Sequence, residues 1–256
     1  MNAHRDGVET STRTRAPSAL VVGASRGLGR GVVEVLASSG FAVAALGRSR
    51  AALEELAQST GITSIVADAA SEGVAERVLF AESPDLLVVV AGATPELRPL
   101  HLHTWETFSK NWEADARIAF EWVRASLLVP LRPGAHVIVF SSGAAVAGSS
   151  LSGGYAGAKR AVWFLTEYAA AESGRLGLGI RFQCVVPALT PTTTLGQAAI
   201  RAYAERLGIA EEAYAARFGP PLTPALTGEA VLQLHSQPEK WAETTYRLAG
   251  AGLRPV

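Results

Sequence analysis

The chain has 256 residues, of which 23 are basic and 23 are acidic, and this length suits one large α/β domain. The balanced charge gives no electrostatic basis for binding nucleic acid or an anionic membrane, and no apolar run approaches the ~20 residues that a membrane helix needs. A single cysteine excludes a disulfide framework within the chain, so we expect a reducing, cytoplasmic location. Residues 1–17 are polar and predict a disordered N-terminal tail, which leaves residues 18–256 as a single domain.

Apolar runs and amphipathic segments alternate along the chain. Strands are predicted at 19–22, 42–46, 64–67, 86–91, 136–140, 180–186 and 245–248, and the principal helices at 30–39, 72–82, 104–128, 154–172 and 227–234. The run at 86–91 is apolar without interruption, as expected for a strand buried on both faces of a parallel sheet. This repetition predicts a doubly wound, mostly parallel sheet of the Rossmann type with helices on both faces, which is a three-layer α/β/α domain.

A glycine-rich turn follows the first predicted strand and opens the first helix. It consists of Gly23, Ala24, Ser25, Arg26, Gly27, Leu28 and Gly29. Glycine permits backbone angles that other side chains forbid, and the helix that follows offers unpaired N–H groups to an anion. The turn therefore predicts a site for the pyrophosphate of a dinucleotide, and a tight strand–helix turn without a ligand is the alternative.

Ligands bind at the carboxyl ends of the strands in a doubly wound sheet. The residues that follow the other strands are therefore expected to line one crevice with the glycine turn. They are Gly47, Arg48 and Ser49, then Asp68, Ala91 and Gly92, then Ser141 and Ser142, and finally Pro187, Ala188, Leu189 and Thr190.

Two arginines indicate which dinucleotide binds. A cofactor with a free ribose 2′-hydroxyl usually meets an acid about 20 residues beyond the glycines, but the end of the second strand holds Arg48 and no acid. Arg26 lies within the glycine turn, and two guanidiniums suit a dianionic 2′-phosphate that they bind bidentately. The sequence thus predicts NADP(H) over NAD(H), with two solvated surface arginines as the alternative.

Tyr155 and Lys159 lie four residues apart at the start of a predicted helix, so their side chains share one face. A nearby ammonium favours the tyrosinate, and we expect it to lower the pKa of Tyr155 from about 10 towards neutrality. Such a phenol exchanges a proton with a carbonyl or alcohol oxygen, to which the Ser142 hydroxyl also donates a hydrogen bond. Taken singly, these residues are also typical of a helix-surface pair and a strand cap.

Together these features resemble the short-chain dehydrogenase/reductase family, over about residues 18–191. The glycine turn matches the family's turn, and Ser142 precedes Tyr155 by 13 positions, as the family's catalytic serine precedes its tyrosine. The family's tyrosine and lysine match Tyr155 and Lys159. The resemblance therefore implies that Ser142, Tyr155 and Lys159 are catalytic.

The resemblance also implies a set of cofactor contacts and an assembly. Asp68 matches an acid near the adenine, and Thr192, beyond Pro187, matches a threonine that often touches the cofactor. The residues expected around the cofactor are Gly23, Ser25, Arg26, Gly27, Leu28, Gly29, Arg48, Ser49, Asp68, Ala91, Gly92, Tyr155, Lys159, Pro187, Thr190 and Thr192. Members of the family often assemble, so a homo-oligomer, either a dimer or a tetramer, is implied.

One departure from the family pattern follows the fourth predicted strand. Val89 and Val90 stand where the family has two asparagines, and only Ala91 and Gly92 of that motif remain. Backbone contact with the cofactor can therefore persist, but the asparagine hydrogen bonds are lost.

A second departure concerns the family's fourth catalytic residue, an asparagine whose backbone holds a water. Residues 116–128 match the family without a gap, and counting back from them places Asp115 at this position. Counting forward from Trp105 favours Asn111 or Trp112 instead. We expect Asp115 to fill the position, because the ungapped segment is the more direct guide.

The strand–helix rhythm stops at about 190–226. In the family, an insert after the sixth strand covers the nicotinamide pocket, so this segment is expected to be a substrate lid. Leu195, Leu207 and Phe218 lie within it and indicate an apolar or aromatic substrate, unless they only pack the lid onto the body.

The sequence predicts an NADPH-dependent oxidoreductase that reversibly reduces a ketone or aldehyde, with a small carbonyl or alcohol substrate and no nucleic-acid or membrane partner. No metal site is expected, because His101 and His103 lack further ligands and are interpreted as solvated loop residues. One alternative is a dinucleotide-binding regulator or scaffold of the same fold, which the lost asparagines favour. The other is a sugar-nucleotide epimerase or dehydratase, which the glycine spacing opposes.

Overall fold

The computed structural model describes residues 15–129 and 131–256, so most of the predicted tail lies outside the described residues. The strands are β1 (Ser18–Val22), β2 (Ala42–Gly47), β3 (Thr63–Val66), β4 (Leu86–Val89), β5 (His136–Phe140), β6 (Arg181–Pro187), β7 (Thr245–Ala249) and β8 (Gly252–Pro255). The α-helices are α1 (Gly27–Ser38), α2 (Arg50–Thr60), α3 (Val74–Glu82), α4 (Trp105–Asn111), α5 (Arg117–Leu128), α6 (Ala144–Ala147), α7 (Tyr155–Leu176), α8 (Thr194–Leu207), α9 (Glu211–Ala215) and α10 (Pro224–Ser236). Within the described ranges, no helix combines the length and hydropathy needed to cross a bilayer.

One sheet holds these strands in the order β3-β2-β1-β4-β5-β6-β7-β8. Strands β1 to β7 run parallel, and β8 pairs antiparallel with β7. The chain winds outwards from β1 to β3, returns to β4 on the other side of β1, and winds outwards again. The carboxyl ends of β1 and β4 diverge at this switch point and leave a crevice. The predicted doubly wound α/β/α fold is confirmed.

Neighbouring residues of β1 face opposite sides of the sheet, which explains why the buried strands are apolar throughout. Leu20 and Val22 lie in the core that contains Trp122 and is covered by α3, α5 and α7. Ala19 and Val21 lie in the second core, which α1, α2 and α10 cover. Both faces of the sheet are therefore buried, and the open edge at the carboxyl ends of the strands is left for ligands.

The predicted helix at 104–128 is interrupted. A π-helical turn, Trp112–Ala116, separates α4 from α5. Such turns accommodate an additional residue and frequently occur at functional sites. Glu113 in this turn is exposed, whereas Asp115 is 2% exposed and lies against the residues that follow β4.

Candidate active site

The glycine turn leaves no room for a side chain at two of its positions. A Cβ at Gly23, whose φ is +95°, would lie 2.5 Å from the backbone nitrogen of Ala91. A Cβ at Gly29 would lie 2.1 Å from the carbonyl oxygen of Gly23. Among the described side chains none caps α1, and its first turn holds no acid, so its N–H groups remain available to an anion. The turn fits a pyrophosphate.

The two predicted arginines lie at neighbouring turns. Ser25 packs against Gly47, whose Cβ would lie 3.5 Å from the Ser25 Cβ, so the residues that follow each of them are close in space. Arg26 and Arg48 are both exposed, and neither forms an ion pair within the part of the chain that the structure describes. Their charges are therefore uncompensated and face solvent, as a phosphate site requires.

The other residues expected to contact the cofactor differ in their exposure and in their hydrogen bonds. Asp68 is exposed and accepts a hydrogen bond from the backbone of Ala70 at 3.0 Å. The Ser49 hydroxyl caps α2, so it already has a hydrogen-bond partner within the protein. Thr190 is buried and Thr192 is exposed. Gly27, at the start of α1, lies close to the lid, since its Cβ would be 3.6 Å from the Thr193 methyl group.

The candidate catalytic residues converge where β5 meets α7. Tyr155 is the first residue of α7, and the Lys159 ammonium lies 6.0 Å from the centroid of its ring. Lys159 Nζ donates to the carbonyl oxygen of Phe140 at 3.2 Å, and the Ser141 hydroxyl donates to the carbonyl oxygen of Lys159 at 2.7 Å. These bonds fix α7 against the end of β5, where Ser142 follows and lies close enough to the Tyr155 phenol to influence its pKa.

Asp115 enters this group through its side chain. Its Oδ1 lies 2.9 Å from Lys159 Nζ, and both side chains are buried. Its Oδ2 accepts hydrogen bonds of 3.0 Å from the backbone N–H of Ala93 and from the Asn111 amide. Asn111 also donates to the carbonyl oxygen of Ala93 at 2.9 Å. The two residues that the sequence left as rivals thus occupy one network, and Asp115 is the one that contacts Lys159.

The pKa of Tyr155 is raised above its ordinary value, so the expected fall towards neutrality is wrong. Desolvation by the surrounding protein is the largest cause; the Lys159 ammonium and the Ser142 hydroxyl lower this pKa, and the Asp115 carboxylate raises it again. For Lys159, burial lowers the pKa of the ammonium, but Asp115 and Tyr155 more than offset burial and leave the pKa raised. The resemblance implied a role for the backbone at position 115, so the contact of the Asp115 carboxylate with the ammonium was not anticipated.

A hydroxyl cluster, formed by Ser149, Ser152 and Tyr203, joins the predicted lid segment at 190–226 to the turn before Tyr155. Tyr203 on α8 hydrogen-bonds Ser149, and the hydroxyl oxygens of Ser149 and Ser152 lie 2.8 Å apart. The Tyr203 ring stacks on that of Tyr214, with centroids 5.6 Å apart. The only sequence signal was a group of serines just before Tyr155, because Tyr203 is 54 positions from Ser149.

The apolar lid residues do not form a lining of their own. Leu207 and Phe218 are exposed, and Leu195 is partly buried. Phe218 packs edge-on against Tyr214 within the lid, with ring centroids 5.4 Å apart. These contacts agree better with packing inside the lid than with an apolar substrate pocket.

The loop histidines differ from each other. His101 is exposed, as expected, but His103 is partly buried and its Nδ1 lies 3.1 Å from the Thr107 hydroxyl. A Cβ at Gly153 would lie 2.5 Å from His103 Nε2, so this ring packs against the turn before Tyr155 and is not simply solvated. Over residues 15–129 and 131–256, no group of three or more potential metal-ligating side chains occurs.

The chain is similar to known proteins over the segment that contains these residues. A sequence model of the short chain dehydrogenase family matches residues 17–202. The chain belongs to this family. Its members use a nicotinamide dinucleotide, bind small-molecule substrates and often form oligomers. The cramped glycines at 23 and 29 and the uncapped start of α1 fit the pyrophosphate of such a cofactor.

Among similar proteins are several reductases. Human L-xylulose reductase is 34% identical over 185 residues, which cover 70% of this chain and 73% of the relative. Carbonyl reductase [NADPH] 2 of Sus scrofa is 32% identical over 160 residues, which cover 61% of this chain and 65% of the relative. D-erythrulose reductase of Gallus gallus is 31% identical over 138 residues, which cover 52% of this chain and 56% of the relative. These similarities support an oxidoreductase function.

Solved structures agree with the fold. An oxidoreductase of the short chain dehydrogenase/reductase family from Burkholderia thailandensis superposes with a TM-score of 0.75 at 26% identity, covering 94% of this chain and 95% of that one. Levodione reductase superposes with a TM-score of 0.80 at 22% identity, covering 92% and 96% of the two chains. The likeness to levodione reductase concerns the fold alone.

Proposed function

We propose that this chain reduces the carbonyl group of a ketone or aldehyde with NADPH, and catalyses the reverse oxidation. The observation that carries the proposal is the convergence of Tyr155, Lys159 and Ser142 beside the glycine turn at the switch point of the sheet. The reductases among the relatives support the same reaction class. A cytoplasmic location and a homo-oligomeric state remain predictions from the sequence.

Each residue has a distinct role in the proposed reaction. The nicotinamide supplies the hydride when bound. Tyr155 donates its proton to the carbonyl oxygen, and the Ser142 hydroxyl hydrogen-bonds that oxygen as negative charge develops on it. Lys159 keeps a positive charge close to the phenol and is oriented by Phe140 and Asp115.

We infer a preference for NADP(H) from the two exposed arginines. Replacing Arg48 by Asp should weaken NADPH binding roughly 10- to 100-fold, because about 1.5–3 kcal/mol of charge-assisted hydrogen bonding is lost, and NADH binding should change far less. Arg254→Asp, an exposed arginine on the edge strand β8, is the matched control. Titration of cofactor fluorescence measures both affinities, and equal losses for the two cofactors would remove the preference.

The hydroxyl cluster points to a hydroxylated substrate. Ser149, Ser152 and Tyr203 present hydroxyls between the lid and the turn before Tyr155, and sites of this kind select substrates by hydrogen bonding to their own hydroxyls. Two of the relatives are named for xylulose and erythrulose, which are hydroxylated ketones. A small polyhydroxy ketone therefore fits better than the apolar substrate that the lid sequence indicated.

The test is NADPH consumption with matched panels of hydroxylated and unsubstituted ketones. The Tyr155→Phe variant should lose about 10²- to 10⁴-fold in turnover, the usual contribution of a general acid, while it still binds NADPH. Tyr168→Phe, an exposed tyrosine on the same helix, should retain full activity.

Two outcomes would contradict the proposal. A wild-type protein that binds NADPH but consumes it with neither panel would favour the regulator or scaffold. Equal turnover by the wild type and Tyr155→Phe would remove the assigned proton donor. Preference for unsubstituted over hydroxylated ketones would overturn only the substrate class.

A further inference from the structure

Asp115 carries a buried negative charge beside the proposed catalytic group. Its side chain is 1% exposed and that of Lys159 is 7% exposed, and the two charged atoms are 2.9 Å apart. A carboxylate in such a place must be paired and hydrogen-bonded, because burying an isolated charge is very unfavourable. Here Oδ2 accepts from the Ala93 N–H and the Asn111 amide, whereas Oδ1 is held by its ion pair with Lys159 and has no hydrogen bond among the described residues.

The backbone after β4 is shaped around this carboxylate. A Cβ at Gly92 would lie 2.5 Å from Asp115 Oδ1, so a side chain there would strike it. The next residue is held on both sides as well, since the Ala93 N–H donates to Asp115 and the Ala93 carbonyl accepts from Asn111. The carboxylate is thus held rigidly, and it in turn fixes the position of the Lys159 ammonium.

The Asp115 carboxylate offsets part of the effect that the Lys159 ammonium has on the ionisation of Tyr155. An uncompensated ammonium would stabilise the tyrosinate form of Tyr155. Burial is the largest cause that raises the pKa of Tyr155, and the Asp115 carboxylate and the Tyr203 phenol act in the same direction, against the lowering by Lys159. A phenol that keeps its proton at neutral pH is the form that a carbonyl reduction consumes, whereas the oxidation of an alcohol requires the tyrosinate.

We propose that Asp115 is a positioning residue whose carboxylate holds the Lys159 ammonium and offsets its charge, so that Tyr155 remains the proton donor for carbonyl reduction. The inference rests on the proposed function. In the reduction, a hydride forms a new C–H bond at the carbonyl carbon and the C=O double bond becomes a single bond. The proton of Tyr155 moves to the resulting oxygen, the nicotinamide is oxidised, and the tyrosinate recovers a proton from solvent.

The test follows the ionisation of Tyr155 directly in the cofactor-free protein. The ultraviolet difference spectrum between the wild type and Tyr155→Phe isolates this phenol during alkaline titration. We expect Asp115→Asn, titrated against its own Tyr155→Phe partner, to ionise at a pH lower by about one unit or more. Glu113→Gln removes the same charge from an exposed position in the same π-helical turn, and it should leave the titration unchanged.

A second readout follows the reaction. The pH profile of kcat/KM for alcohol oxidation should extend to lower pH in Asp115→Asn by the same interval, whereas Glu113→Gln, which removes an exposed charge from the same turn, should keep the wild-type profile. An unchanged or opposite shift in the titration of Asp115→Asn would overturn the inference. If that variant does not fold, the wild type still decides: a Tyr155 that is already ionised at neutral pH overturns the inference, because the phenol would then have no proton to donate. The spectra need no turnover, so a protein that ionises as expected but reduces nothing contradicts only the proposed function.

Discussion

Two basic side chains lie at opposite ends of the parallel strands, the buried Lys159 and the partly buried Arg181, and their partners differ in kind. At the carboxyl edge, Lys159 faces the carboxylate of Asp115 at 2.9 Å. At the amino edge, Arg181 at the start of β6 donates to His136 Nδ1 at 2.8 Å and to the carbonyl oxygen of Leu234 at 2.9 Å. Within the described residues Arg181 has no acidic partner; neutral acceptors contact its Nη2, and its Nη1 has no hydrogen-bond partner there.

The difference agrees with the active site proposed at the carboxyl ends of the strands. A carboxylate holds the charge of the ammonium in a fixed place beside Tyr155, whereas the amino edge only has to accommodate a cation. Burial is the main cause that lowers the pKa of His136 well below its ordinary value, and Arg181 and His235 lower it further. The His136 ring is therefore neutral, which allows it to accept from Arg181. A cavity of about 490 Å³ opens at this same edge, with Arg181 and Gln183 in its wall, far along the strands from the crevice.

The largest expected effect comes from removing the Asp115 carboxylate. Asp115→Ala leaves Lys159 buried without its partner, and breaking such a pair destabilises a protein by about 3–5 kcal/mol. Urea unfolding measures this change, and the exposed Glu113→Ala should stay within about 0.5 kcal/mol of the wild type. If Asp115→Ala loses no more stability than Glu113→Ala, then Lys159 does not depend on its carboxylate partner, and the contrast with Arg181 disappears.

A smaller effect is expected from the glycine that admits the carboxylate. In Gly92→Ala the new Cβ would lie 2.5 Å from Asp115 Oδ1, and overpacking of this kind destabilises by about 1–3 kcal/mol. Gly174→Ala is the matched control, because its Cβ would meet nothing within 4 Å, and alanine in a helix is favoured by roughly 0.5–1 kcal/mol. In thermal unfolding, Gly92→Ala should have a lower Tm than the wild type and Gly174→Ala a higher one. A raised Tm in Gly92→Ala would show that the loop after β4 moves away from the new methyl group.

The smallest effect is a pH dependence at the amino edge. The pKa of His136 is lower in the folded than in the unfolded protein, so the unfolded chain binds more protons as the pH falls below about 6.5 and stability decreases. Groups that face His136 include Arg181 and His235, and Asp85 acts on His235. His136→Asn should flatten the profile of unfolding free energy between neutral and mildly acidic pH, whereas exposed His101→Asn should reproduce the wild-type slope. Parallel profiles for the wild type and His136→Asn would assign the acid sensitivity elsewhere.

Local sequence signals predicted the fold and the outline of the crevice. Uninterrupted apolar runs identified the buried strands, and the glycine turn placed the start of α1, because both signals depend on neighbouring residues alone. Strand β8 was not predicted; it is four residues long and begins at Gly252, whose φ is +101°. A short edge strand carries little periodicity from which it could be recognised.

The rest of the candidate site depends on contacts between distant residues. A π-helical turn decides that Asp115 faces Lys159, 44 positions later in the chain, and no spacing rule anticipates such a turn. The rise of the Tyr155 pKa comes first from burial and only then from Asp115, and the spacing of Tyr155 and Lys159 along a helix reveals neither. The hydroxyl cluster likewise needs the lid helix to pack beside the turn before Tyr155.

The central claim, that the crevice at the carboxyl edge transfers a hydride to a carbonyl carbon, is tested most directly by isotope transfer. The protein is incubated with a small polyhydroxy ketone and NADPH that carries deuterium at the transferable C4 position of the nicotinamide, and the product is analysed by mass spectrometry. The account predicts an alcohol with a single deuterium on the former carbonyl carbon, formed by the wild type and far more slowly by Tyr155→Phe. An alcohol without deuterium, or no alcohol from any ketone despite bound NADPH, would contradict it.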